Sequence, residues 1–278
     1  MSIQTRRIQN TTRGIAASDG AGVQLTRLLG HPQLKNLDPF LMMDHFASDD
    51  PDDYIAGFPP HPHRGFETVT YLLAGLMKHQ DNAGHEGVLK AGGIQWMTAG
   101  RGIIHSEMPQ QENGLLSGFQ LWINLPAQYK MIPAAYQEFE PEQIPRETRD
   151  DAQLKLICGQ TSFGNRGAVI NDYVKAQFWD ISLEAEKSFI EPTSSTATLM
   201  LYVIEGELEI EGNTLRSGDL SALSQGTEFK ATAGNTSARF LWISGEPIHE
   251  SIAQAGPFVM NTQAELKQAF DDFKSGRF

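Results

Sequence analysis

Apolar and polar positions alternate with a period of two along much of this chain, in short runs. FETVTYLL (66–73) is dense in β-branched and aromatic residues, GFQLWINL (118–125) alternates in part, and FWDISLEA (178–185) alternates more regularly. A pleated strand turns successive side chains to opposite faces, so these runs predict strands. The segment 198–220 predicts strand, Glu-Gly turn, strand, Gly-Asn turn, strand, and ARFLWISG (238–245) predicts one more. Many short strands, in a chain with 26 Gly and 14 Pro, predict an all-β sandwich or barrel architecture. One segment departs from this pattern. Thr262 and Glu265 form a T-x-x-E capping box, Leu266, Phe270 and Phe273 follow at helical spacing, and Gly276 can end the helix.

The pattern also repeats. TYLLAG (70–75) resembles LYVIEG (201–206), GGIQWMTAG (92–100) resembles GDLSALSQG (218–226), and FQLWIN (119–124) resembles RFLWIS (239–244), at offsets of 131, 126 and 120 residues. Two barrels from one duplication are the simplest account. The expected organisation is an N-terminal barrel over 1–135 and a C-terminal barrel over 150–250. A C-terminal segment, 251–278, is expected to pack its helix back on the body. The Pro-rich, charged stretch from Pro133 to Arg149 reads as a linker, and ASDDPDD (47–53) as a solvated loop.

Composition narrows the function. Among 278 residues, 22 Lys and Arg face 34 Asp and Glu, a net charge of −12, and an acidic chain does not cover a phosphate backbone. Arg6, Arg7 and Arg13 read as a solvated tail. The single cysteine, Cys158, sits in an apolar run and reads as a buried, inert thiol; without an intrachain disulfide, a reducing compartment is expected. No apolar run is long enough to span a membrane, and the Arg-rich N-terminus has no apolar signal region. A soluble, cytoplasmic, monomeric protein is the expectation, with neither nucleic acid nor membrane as partner.

Candidate chemistry lies in two short motifs. His61 and His63 are spaced i, i+2, as are His105 and Glu107, so each pair shares one face of an extended strand. If the two segments are neighbouring barrel strands, three imidazoles and a carboxylate converge. That donor set suits one divalent first-row metal with a coordination position open. The competing account has solvent-facing histidines and Glu107 in a surface ion pair; the Gly-rich turns beside both motifs weigh against it. Counting along the repeat from the four ligand candidates gives Pro192, Ser194, Ala231 and Ala233, none a good ligand, so the second barrel reads as structural or as an interaction surface. His31, His79, His85 and His249 lack spaced partners and read as loop or surface residues. His45 reads as a packing residue, and Trp96, Trp122, Trp179 and Trp242 as core.

GFPPHPHRGFET (57–68) resembles the first motif of cupins, and WMTAGRGIIHSEMP (96–109) resembles the second motif in the form used by pirins. NLDPFLMMDHF (36–46), QLWINLP (120–126) and GPFVMNT (256–262) are also similar to pirin segments, so the resemblance runs from about Gly30 to Thr262. It implies a bicupin holding a metal in the N-terminal barrel only, with Fe(II) the usual ion and other first-row metals possible, and ligands falling on His61, His63, His105 and Glu107. Most cupins take their carboxylate from the first motif, which here would be Glu67; in the pirin form it comes from Glu107. Glu67, four residues after His63, is then expected on the histidines' side as a buried residue supporting the ligands.

The resemblance implies two functions. One is a metal-dependent dioxygenase of the quercetin 2,3-dioxygenase type, using O₂ to open a flavonol, with Glu107 as catalytic base. The other is a non-catalytic metal-binding regulator read by a protein partner, a transcriptional co-regulator or a modulator of a metabolic enzyme.

Overall fold

A computed structural model describes residues 3–278, which divide into two compact units. One comprises Ile15–Pro141 with Ile248–Phe278; the other comprises Glu142–Pro247 with the N-terminal segment through Gly14. Among the described residues each unit has one seven-stranded and one four-stranded antiparallel sheet, the two-layer arrangement of a cupin barrel, and the first unit adds a two-stranded sheet of Ala253–Ala255 and Phe258–Met260.

In the first unit the larger sheet runs in the order Ala135–Phe139, Ile94–Thr98, Phe66–Ala74, Leu116–Asn124, Phe40–Ser48, Val23–Leu29, Ile15–Asp19. The smaller runs Phe58–His63, Ile103–Pro109, Leu76–Asp81, Glu86–Lys90. In the second unit the larger sheet runs Ile8–Thr12, Leu220–Leu223, Thr198–Glu205, Ala238–Gly245, Gln177–Leu183, Ala152–Cys158, Arg146–Arg149. Its smaller sheet runs Ser188–Pro192, Glu228–Ala233, Glu207–Ile210, Asn213–Arg216. The segments 70–75 and 201–206 hold the same place in the two orders, as do 119–124 and 239–244, so the repeat in sequence is a repeat in topology.

Two segments lie elsewhere than the pattern predicted. The N-terminal residues, assigned to the first barrel, add the strand Ile8–Thr12 to the C-terminal sheet, paired with Leu220–Leu223. The stretch read as a linker holds two strands. Ala135–Phe139 pairs with Ile94–Thr98 in the first unit, and Arg146–Arg149 pairs with Ala152–Cys158 in the second. Proline and charge hid them because both are end strands of their sheets, where one side of the backbone needs no ladder partner.

Arg6 is also not in a solvated tail. It is 1% exposed, donating from Nε to Thr193 Oγ1 (2.9 Å), from Nη1 to the Ser224 carbonyl (3.0 Å), and from Nη2 to the carbonyls of Ser194 (2.6 Å) and Ala197 (2.8 Å). Burial pushes its guanidinium down to about 10.

The C-terminal barrel interior is one apolar cluster that includes Phe189, Phe229, Ala231 and Ala233. Trp179 stacks on Trp242 at 5.0 Å, and Phe229 meets Trp242 edge-on at 5.1 Å. Both indole N–H groups are satisfied, by the Cys158 carbonyl (3.0 Å) and by Gln177 Oε1 (3.1 Å), as buried tryptophans require.

The helix spans Gln263–Lys274. Its capping box is present: Glu265 N–H donates to Thr262 Oγ1 (3.2 Å) and Thr262 N–H to Glu265 Oε2 (2.8 Å). Gly276, at φ +71°, follows the last turn. Leu266 and Ala269 bury against Phe258, Met260 and Ala253 in the first unit, with Phe270 and Phe278 packed alongside; Phe273 stays 37% exposed. The helix carries Asp272, whose Oδ2 accepts from Arg64 Nη1 at 2.8 Å, and Arg64 also lies 4.4 Å from the Phe278 ring centre. The C-terminus is thereby tied to the residue that follows His63. No helix among the described residues is long and apolar enough to cross a membrane.

Candidate metal centre

Phe58–His63 is an end strand of the smaller sheet and contains Pro59, Pro60 and Pro62. A proline gives no N–H to a ladder, so such a run survives only at an edge or a bulge. Here it has both. His63 faces Ile103 and His61 faces His105, but Glu107 faces Phe58, because the register shifts across the prolines. His61 and His105 are direct cross-strand neighbours, and His63 joins them from two positions along. Ring centres lie 4.5 Å (His61–His105), 4.7 Å (His61–His63) and 5.1 Å (His63–His105) apart.

Each histidine brings a ring nitrogen within 4.8 Å of the other two. His61 Nδ1 lies 2.8 Å from the Pro59 carbonyl, an oxygen that can only accept; Nδ1 therefore carries the proton, and Nε2 keeps a lone pair. His63 and His105 are buried, and both are pushed well below the usual imidazole range, first by burial and then by the neighbouring histidines. They are neutral at pH 7. Both ring nitrogens of His105 and Nδ1 of His63 are buried without a hydrogen-bond partner. Two neutral, buried imidazoles with orphaned nitrogens, beside the ring of His61, fit a divalent metal and fit poorly as a protein-only network.

Glu107 lies outside that triad of donor atoms but lines the same cavity as His61 and His63. It is 4% exposed, and burial is the main cause that raises its pKa, with His61, Thr70 and His79 pulling it down. Thr70 Oγ1 lies 2.8 Å from Glu107 Oε1 and 2.7 Å from the Gln120 amide oxygen position. A hydroxyl has one proton, so donation to Glu107 requires Gln120 to present its amide N–H₂ to Thr70. Thr70 and Gln120 carry no spacing signal; they are cross-strand partners, visible only once Phe66–Ala74 pairs with Leu116–Asn124.

Glu67 is 1% exposed and accepts from Thr98 Oγ1 at 2.8 Å. It does not share a face with the residues that reach the site. Glu67 and Thr70 are three apart on one regular strand, so they point to opposite faces. The expectation failed because His63 and Glu67 lie on different strands. Gly65, at φ +89°, turns the chain between them, and a side chain there would collide with the Val259 carbonyl.

The cavity has a volume of about 700 Å³ and is lined by His61, His63, Glu107, Gln120, Trp122 and Phe46, among others. Trp122 stands edge-on to His63 at 5.2 Å and packs on Phe66 at 4.3 Å. His45 stacks on Phe119 at 4.6 Å, as a packing residue would. His31 and His79, read as loop or surface residues, are buried at 3% and 4% exposure.

Two cupin-type barrels, one with a histidine triad of which His61 and His63 line a partly apolar cavity and one with an apolar interior, define a bicupin with a single candidate centre of this kind among the described residues. Comparison with known proteins gives the family. The family description "Pirin" matches residues 22–123, and "Pirin C-terminal cupin domain" matches residues 178–278. A pirin-like protein of Caulobacter vibrioides is 48% identical over 98% of this chain and 99% of its own. A Pseudomonas aeruginosa protein provisionally named a quercetin 2,3-dioxygenase is 47% identical over 95% of this chain and 94% of its own. A crystal structure titled quercetin 2,3-dioxygenase from Acinetobacter baumannii superposes with a TM-score of 0.90 at 32% identity, covering 99% and 98% of the two chains. A bacterial pirin from Escherichia coli, solved in complex with nickel(II), shares the fold at 18% identity and a TM-score of 0.69, over 87% of this chain and 99% of its own. This chain belongs to the pirin family.

Proposed function

We propose that this chain is a metal-dependent dioxygenase that opens the central ring of a flavonol such as quercetin with O₂. The carrying observation is the cavity: about 700 Å³ of partly apolar space opening on His61, His63 and Glu107, in the size range of small-molecule sites. The names of the Pseudomonas and Acinetobacter relatives support the same reading. His61, His63 and His105 would hold the ion, Fe(II) or another first-row metal, with Glu107 as a fourth ligand or as the base beside it. When bound, the ion supplies Lewis acidity that lowers the pKa of a hydroxyl brought to it.

The chain's own residues do the rest. The Pro59 carbonyl fixes the His61 tautomer, and burial keeps His63 and His105 neutral. Trp122 and Phe46 supply apolar walls that hold a flat aromatic substrate and exclude water. Glu107 accepts the substrate's hydroxyl proton on its carboxylate, because a carboxylate raised by burial is a stronger base than a solvated one. Thr70 holds that carboxylate in place at Oε1.

The test is oxygen uptake and loss of the flavonol absorbance band with iron-loaded full-length protein. Glu107→Gln should depress turnover far more than it depresses metal content. If fully loaded wild-type protein consumes no oxygen across a flavonol panel, the enzyme reading fails, and a non-catalytic metal-binding regulator takes its place.

A further inference from the structure

A second donor cluster stands outside the triad. His79 on Leu76–Asp81, His85 in the turn that follows, and Glu138 on Ala135–Phe139 bring ring nitrogens and a carboxylate oxygen within 4.8 Å of one another. His79 Nε2 lies 2.9 Å from Glu138 Oε1, and His85 Nε2 lies 3.2 Å from Glu138 Oε2. We propose that His79, His85 and Glu138 form a second divalent-cation site in the first unit, of the N₂O type that suits zinc.

Three observations carry this. First, the spacing fits. Ligands about 2.0–2.1 Å from a tetrahedral ion stand roughly 3.3 Å apart, close to both N···O separations. Second, His85 Nε2 is buried 3.2 Å from Glu138 Oε2 and has no other partner, so its ring nitrogen is committed to this one point. Third, Gly87 keeps the space open. It faces His79 across the hairpin, and a Cβ there would overlap His79 Nε2 and stand 3.4 Å from Glu138 Oε2. The backbone at Gly87 is not left-handed, so conformation does not demand glycine there; room beside the donor atoms does.

The surroundings suit a held ion. Gln95 Nε2 donates to Glu138 Oε1 at 2.7 Å and orients the carboxylate, and Tyr136 stacks on His85 at 4.4 Å. His79 is 4% exposed, while the His85 side chain is 40% exposed and gives the ion a way in from solvent. His79 also stands directly across the ladder from Glu107, so the two candidate sites are neighbours.

The experiment is zinc binding to chelator-stripped full-length protein, read by calorimetry and by elemental analysis after desalting. Wild-type protein should take two equivalents. Gly87→Ala and Glu138→Gln should each take one, with the second affinity weakened tenfold or more. His85→Asn, at a half-exposed position, replaces Gly87→Ala if that variant fails to fold. His63→Ala should retain this second zinc, which separates the proposal from the reaction assigned to the triad. One equivalent in wild-type protein, or a second equivalent that survives both Glu138→Gln and the position-87 or position-85 change, overturns it.

Discussion

Replacing Lys130 by Met tests how the candidate site is braced. Lys130 is 1% exposed, and its Nζ donates to the Gly65 carbonyl (2.7 Å), Asn124 Oδ1 (2.6 Å) and the Val259 carbonyl (3.0 Å). One ammonium thus joins the turn after His63, the end of Leu116–Asn124 and the C-terminal segment. Burial pushes its pKa down to about 8, with Glu250 and Glu265 pulling it back up. Met keeps the stem's volume and removes all three donors. Three buried acceptors left unpaired cost about 1–3 kcal/mol each. Relief of the buried charge, whose pKa falls from 10.5 to about 8, returns roughly 3 kcal/mol. At the middle of that range the three acceptors cost about 6 kcal/mol together, so the net loss is on the order of 3 kcal/mol. The pH dependence gives a second signature. In the fold the amine loses its proton near pH 8, while in the unfolded chain it keeps it to about 10.5, so between those values the unfolded state holds more protons and wild-type stability gains from rising pH. Lys130→Met lacks that gain. Urea unfolding from pH 7 to 10.5 measures both. A variant within about 1 kcal/mol of wild type at pH 7, or one whose stability difference from wild type does not change across that pH range, refutes the reasoning.

Two further predictions rest on packing and titration. Deleting residues 256–278 removes the Phe258, Leu266 and Phe278 contacts and the Arg64–Asp272 ion pair; it should lower the melting temperature and expose apolar surface, and a truncated protein as stable and monodisperse as the parent counts against it. His45 is pushed down to about 4 by burial, so below about pH 6.5 the unfolded chain takes a proton that the fold refuses, and stability falls by up to about 3 kcal/mol as pH drops to 4. His45→Phe should lose that part of the acid slope in denaturation series; an identical slope in both proteins would sink the assignment.

Local features were legible along the chain. Period-two patterning gave the central strands, three matched segments gave the duplication, and a capping box gave the helix. His61 with His63, and His105 with Glu107, were legible because i, i+2 parity within one strand needs no tertiary information. Parity stops at a turn. That is why Glu67 appeared to face the histidines and instead lies on the opposite face of the next strand, against Thr98. Pairing between distant segments is equally invisible along the chain. Arg6 read as a tail residue because its acceptors, Thr193, Ser194, Ala197 and Ser224, are some two hundred positions away. Ala135–Phe139 read as linker because an end strand tolerates polar and charged residues on its open side. With that strand went Glu138, and without Glu138 the residues His79 and His85 had no visible partner. Only the folded sheets, by setting strand order and register, decided which side chains converge, because convergence depends on three-dimensional neighbours that spacing along one strand does not encode.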